Sequence, residues 1–142
     1  MGDGSDAADP AHLVEPLLAR SFDAASLTLV RHEVAACAAA SGLAGNPLDD
    51  FVLAVNELVT NAVRHGGGSG RLRLWCAEGQ LVCEVSDQGV GIDGPTARDR
   101  DRPSPRVAGG WGLWLARELS DSMTVSTGAD GTSVRITAAT PR

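Results

Sequence analysis

The sequence predicts an α+β fold: a two-layer sandwich, with helices on one face of a mostly antiparallel, mixed sheet. Three observations lead there. Two helical runs come first, over 27–41 and 46–65. A hairpin of alternating residues follows over 71–85, and a third helix with a second hairpin closes the chain. Each run has one apolar side, and helices that follow and flank strand pairs bury that side against a single sheet.

The apolar stretch Leu13 to Phe22 is an edge-strand candidate ending before Asp23. Leu27, Val30, Val34, Cys37 and Ser41 then recur at intervals of three and four, which is helical spacing, and Gly42 closes the run. Asp23 or Ser26 is placed to cap it. Asn46-Pro47 reads as the start of a second helix, with Asn46 as cap and Pro47 where its missing amide costs nothing. Asp49 and Asp50 favour the positive end of that helix. At about 100° per residue, Phe51, Val55, Leu58, Val59 and Ala62 gather on one side, and Glu57, Asn61, Arg64 and His65 on the other. The apolar stripe must meet a sheet, and the polar stripe needs water or a ligand. Gly66-Gly67-Gly68 ends the helix.

Arg71 to Cys76 alternates leucine with arginine, and Leu81, Cys83 and Val85 repeat the period after Glu78-Gly79-Gln80. The second strand runs into Ser86-Asp87, so Asp87 is expected at a strand end. Residues 92–108 carry three prolines, no apolar period and the run Arg98-Asp-Arg-Asp-Arg102. A segment of this length reads as a lid or binding loop, with a solvated connector as the alternative. In the lid reading Arg98, Arg100 and Arg102 meet phosphate; in the other they are a solvated charge run. Helix returns from Gly112 to Leu119, and Met123 to Thr127 pairs with Thr132 to Ala138 around Gly128-Ala-Asp-Gly131.

Composition limits the function classes. The 142 residues suit one domain, expected over 11–140 behind a disordered leader at 1–10. Eighteen acidic against 12 basic residues leave a net charge of -6, which argues against a direct nucleic-acid binder. No run of about 20 apolar residues offers a membrane span, and the acidic start lacks a secretory pattern, so a cytoplasmic protein is expected. The three cysteines, Cys37, Cys76 and Cys83, have no metal-ligand spacing and read as buried free thiols. Trp75 and Trp114 read as core or partner-surface residues, and His65 as a helix-end residue with at most a weak nucleotide contact.

Three short motifs carry chemistry. Glu57 and Asn61 stand one helical turn apart. Asn61 offers a neutral oxygen suited to magnesium, and Glu57 is placed to take a proton from an attacking hydroxyl. Asp87-Gln-Gly89-Val-Gly91 sets a carboxylate in a glycine turn, able to accept from an exocyclic amine such as that of adenine. Gly109-Gly110-Trp111-Gly112 presents backbone amides at a helix start, a natural seat for phosphate. Each motif alone also suits an ordinary helix face or turn. It is not a P-loop, which needs a lysine followed by Ser or Thr.

In series the three resemble the ATP site of the GHKL, or Bergerat-fold, superfamily, over roughly Ala11 to Ala138. The resemblance implies a two-layer Bergerat sandwich with an ATP lid. It implies Asn61 as the magnesium residue and Glu57 as the catalytic residue. It also implies adenine binding by Asp87 with Gly89 and Gly91, and phosphate binding by Gly110 and Gly112. Gly131-Thr132 matches the late Gly-Thr pair, whose threonine supports the adenine pocket. Glu57-Leu-Val-Thr-Asn61 followed by Arg64-His65-Gly66 is most similar to the bacterial anti-sigma-factor serine/threonine kinases. That implies ATP and magnesium as cofactors, an anti-anti-sigma protein as substrate, a sigma factor as second partner, and a homodimer. Trp111 stands where a smaller or basic residue is common, and the 92–108 lid is proline-rich. The alternatives are a nucleotide-dependent regulatory module without phosphoryl transfer, and a degenerate domain serving only as an interaction scaffold. Glu57 argues for transfer, and Asn61, Asp87 and the glycines argue against the scaffold.

Overall fold

The computed structural model describes residues 15–87, 110–128 and 131–141. The chain runs β1 (Leu18–Asp23), a 3-10 turn (Ala24–Ser26), α1 (Leu27–Ala40), α2 (Gly45–His65), β2 (Ser69–Ala77) and β3 (Gln80–Asp87). It continues through α3 (Gly110–Leu119), β4 (Ser122–Gly128) and β5 (Gly131–Ala139). The leader, the glycines at 89 and 91 and the 92–108 segment lie outside the described residues.

The five strands form one sheet in the order β1-β2-β3-β5-β4. All four pairings are antiparallel, so among the described strands the sheet is not mixed. β1 is an edge strand, as the sequence suggests, although it starts at Leu18 and its register begins with Leu18 opposite Leu74. Turn chemistry sets the β2–β3 hairpin. Glu78 and Gly79 both take positive φ, 54° and 78°, the twist that lets a two-residue turn join right-twisted strands.

One face of the sheet is covered by the helices. Leu72 and Leu74 of β2, Leu81, Cys83 and Val85 of β3, and Val134 and Ile136 of β5 point into it. Val30, Val34 and Ala38 of α1 meet them, as do Phe51, Val55, Leu58, Val59 and Ala62 of α2 and Leu113 and Ala116 of α3. The α2 stripe expected from periodicity is thus the core stripe, each member 3% exposed or less.

The opposite face carries a second, smaller cluster of Trp75, Val82 and Ala77. Trp75 is 2% exposed, with the guanidinium carbons of Arg73 and Arg135 at 5.3 and 5.1 Å from its ring centroid. Glu84 lies between those arginines in the strand register and accepts from Arg135 Nη2 at 2.7 Å. Stacked, paired guanidiniums shield an indole that a sheet face would otherwise leave in water.

Two helix starts differ from expectation. Asp23 caps the 3-10 turn rather than α1: Ser26 N–H donates to Asp23 Oδ1 at 3.1 Å, and the Asp23 amide donates back to Ser26 Oγ at 2.9 Å. The second helix begins at Gly45 with Ala44 in the cap position and no side-chain cap bond. Gly45 has φ +60°, open to glycine at no steric cost, so the chain turns into the helix one residue before Asn46. Asn46 and Pro47 lie within its first turn, and Asp49 and Asp50 beyond it. The cysteines also divide. Cys83 is buried, Cys37 half-buried and Cys76 exposed, which corrects the expectation of three buried thiols. Cys76 shares the inner face of β2 but stands next to the strand's last residue, Ala77.

Candidate functional site

The end of α2 and the ends of β3 and β5 bring Gly66, Asp87 and Thr132 together. Asp87 closes β3, and its register partner on β5 is Thr132, which is 4% exposed. By strand alternation both belong to the face that the helices cover. The Gly-Thr pair and the acidic turn, more than 40 residues apart in sequence, are therefore direct cross-strand neighbours.

The end of α2 closes on the same point. The Gly66 amide donates to the Ala62 carbonyl at 2.7 Å and ends the helix. A β-carbon placed on Gly66 would collide with the Asp87 carboxylate and come within 2.8 Å of the Ala62 carbonyl oxygen. Asn61 is five residues back, about 7.5 Å along the helix axis, and Glu57 about 6 Å further.

Asn61 is 9% exposed, and its Oδ1 is buried with no hydrogen-bond partner among the described residues. A buried polar atom normally finds a partner, so an orphaned amide oxygen is unusual. Glu57 is half-exposed on the same helix. The polar stripe is therefore graded, with Asn61 enclosed and Glu57 open to an incoming group.

Gly110 is the first residue of α3 and Gly112 lies in its first turn, so this glycine-rich segment does open a helix. The helix packs beside α2 through Leu113 and Ala116 in the shared core. The side chain of Trp111 lies outside the described residues, as do Gly89, Gly91 and the lid arginines. A cleft of about 340 Å³ adjoins Asp87, walled by Phe22, Gly66, Gly70, Arg71 and Ser86 among others. That is within the size range of small-ligand sites.

The sequence gives Gly66 no place at the site, only the end of the helix and the close of the Arg64-His65-Gly66 run. The available signal was redundancy, since one glycine suffices to end a helix and here there are three. Gly70 was also missed. A β-carbon there would meet the Ser86 carbonyl oxygen at 2.6 Å and the Phe22 ring at 2.7 Å.

A carboxylate at a strand end, a threonine across from it, a buried amide on the covering helix and a helix opening on glycines are the arrangement expected of a nucleotide-binding domain of the Bergerat type. The chain belongs to the histidine kinase-like ATPase domain family, which matches residues 21–138. It is a kinase-like ATP-binding module.

Among curated proteins it is similar to the sensor histidine kinase YxdK of Bacillus subtilis, 38% identical over 100 residues that cover 58% of this chain and 30% of that protein. The chain thus spans under a third of that relative's length. Among solved structures it resembles the RsbU and RsbW domains of Rv1364c from Mycobacterium tuberculosis. The TM-score there is 0.64 at 24% identity, covering 89% of this chain and 34% of that one. It also resembles the histidine kinase domain of the E. coli osmosensor EnvZ, with TM-score 0.51 at 21% identity over 90% of this chain and 91% of that one. These likenesses establish the shared fold. No helix among the described residues is long and apolar enough to cross a membrane.

Proposed function

We propose that this chain is an ATP- and magnesium-dependent serine/threonine protein kinase. Its substrate is a small anti-anti-sigma protein, and it acts as a homodimer that holds a sigma factor when that substrate is already phosphorylated. The observation that carries the nucleotide part is the buried Oδ1 of Asn61, without a partner among the described residues, on the helix whose end touches the Asp87 carboxylate. A neutral oxygen without a protein donor fits a hard cation, and magnesium takes few protein ligands when phosphates complete its shell. What favours protein serine/threonine chemistry is the run Glu57-Leu-Val-Thr-Asn61 with Arg64-His65-Gly66 after it.

In this reading ATP supplies the transferable phosphoryl group and magnesium neutralises its charge. Asp87 accepts from the amine of the base, with Thr132 beside it and Gly89 and Gly91 letting the chain pass close. The amides at Gly110 and Gly112 donate to phosphate oxygens, Asn61 holds the cation, and Glu57 orients the partner's hydroxyl and takes its proton. Positioning and charge neutralisation do most of the work in such transfers.

The test is phosphoryl transfer from radiolabelled ATP to the partner protein. Glu57→Ala is expected to keep nucleotide affinity while transfer falls by about 10²–10⁴. Asn61→Ala is expected to lose both magnesium-dependent binding and transfer. Transfer at the wild-type rate by Glu57→Ala removes Glu57 from the chemistry. A wild-type protein that binds ATP and its partner yet transfers nothing makes the chain a nucleotide-dependent regulatory module.

A further inference from the structure

Gly66 is glycine for a reason its backbone does not supply. Its φ is −111° and ψ 26°, a conformation open to residues with side chains. Gly67 and Gly68, at φ +95° and +92°, are in the left-handed region and need glycine for conformation alone. Gly66 is constrained by space instead. Its missing β-carbon would overlap the Asp87 carboxyl carbon and Oδ2, while nothing lies within 4 Å of the corresponding point on Gly68.

The collision also has a direction. The same β-carbon would stand 2.8 Å from the Ala62 carbonyl oxygen, which holds the last turn of α2 through the Gly66 amide. The helix end cannot retreat without breaking that turn, and a carboxylate at the end of a side chain shifts more cheaply than backbone, so the carboxylate gives way first. Asp87 is the last residue of β3, where the ladder ends.

We infer that Gly66 is a positioning residue for base recognition. Its bare α-carbon forms the wall against which the Asp87 carboxylate is seated, and a methyl group there turns the carboxylate away from the plane of the base. The inference rests on the nucleotide reading proposed above and adds to it a residue whose part is to place the carboxylate. The loss is a loss of selectivity for adenine over guanine, since phosphate and magnesium contacts come from other elements.

The experiment is titration calorimetry with ATP and with GTP on the wild type, Gly66→Ala, Asp87→Ala, their double variant and Gly68→Ala, with thermal unfolding of each. A hydrogen bond to a charged acceptor corresponds to roughly tenfold to a hundredfold in affinity. Gly66→Ala is expected to lose the preference for ATP by about that factor. Added to Asp87→Ala it should cost less than about twofold more, because neighbours that act through one contact are not additive. Gly68→Ala should unfold a few degrees earlier, from backbone strain, yet keep the wild-type preference.

An unchanged ATP-to-GTP ratio in Gly66→Ala overturns the inference, and so does an equal loss of ratio in Gly68→Ala. If Gly66→Ala alone does not fold, the double variant decides. Folding as well as Asp87→Ala does locates the fault in the collision and supports the inference. Failure to fold there too assigns the glycine to the helix end and overturns it. A wild type that binds ATP no better than GTP is a different result: it removes the base-recognition reading itself, and the inference with it.

Discussion

The three thiols show how local surroundings separate identical side chains. Cys83 is fully enclosed, and burial first, then the neighbouring Glu84 and Cys37 charges, push its thiol up. Cys37 is raised too, by burial and then by Cys76. Since the thiolate is the nucleophile, an alkylating reagent should label exposed Cys76 first, Cys37 later, and Cys83 only on unfolding. Mass spectrometry of the labelled peptides over time checks that order, and early labelling of Cys83 would contradict its burial. The sign of the pH effect follows. The folded protein keeps the Cys83 proton that the unfolded chain releases above the ordinary value of 9.0. Its contribution to stability is therefore complete below that pH and is lost progressively as pH rises past it. Cys83→Ser should flatten the alkaline side of a stability-against-pH curve, and an unchanged slope would assign the loss to other groups.

Among the elements, the β2–β3 hairpin carries a local conflict. Glu78 is the only non-glycine residue with positive φ among the described residues. Its turn prefers asparagine before glycine. Glu78→Asn should therefore stabilise the fold by about 0.5–1 kcal/mol, read as a rise of a few degrees in Tm. A fall in Tm would mean that the glutamate makes a compensating contact. Helix α2 shows a different division of labour. Its apolar stripe was legible from the sequence, because burial repeats with the 3.6-residue turn and periodicity alone reveals it. The start of the helix was not: an asparagine followed by proline resembles a cap, yet Gly45 turns the chain one residue earlier through a dihedral that no composition pattern marks.

For the whole molecule, the nucleotide is expected to act as a staple between layers. It would be held by Asn61 from α2, by the end of β3 and by the start of α3, so binding should stabilise the native state as a unit. At a hundredfold excess over its Kd, such a ligand contributes ~2.7 kcal/mol, read as roughly 6–10 °C in Tm for a domain of this size. Differential scanning fluorimetry with ATP and magnesium checks this, and the same shift in the presence of a chelator would remove the metal from the proposal. Light scattering and copurification with a sigma factor address the assembly. A strict monomer that captures no sigma factor in any nucleotide state would leave the ATP module standing and remove its proposed partners.

Much of the architecture could be read from the sequence, since helices and hairpins announce themselves by period and by turn residues within a few positions. The same holds for the identity of Glu57, Asn61, Asp87 and Thr132 as candidates, each marked by its immediate neighbours. What needed the tertiary structure is every relation between elements. β5 inserts between β3 and β4, and only that order sets Thr132 across from Asp87. Only packing encloses Asn61 and leaves its oxygen without a partner among the described residues. Only the approach of the α2 end to the β3 end turns Gly66 from a helix stop into a wall for the carboxylate. The reason is physical. A period or a turn is a property of adjacent residues and leaves its mark in their order. A contact between residues 20 or 40 positions apart depends on how layers dock, and no local run of the chain records it.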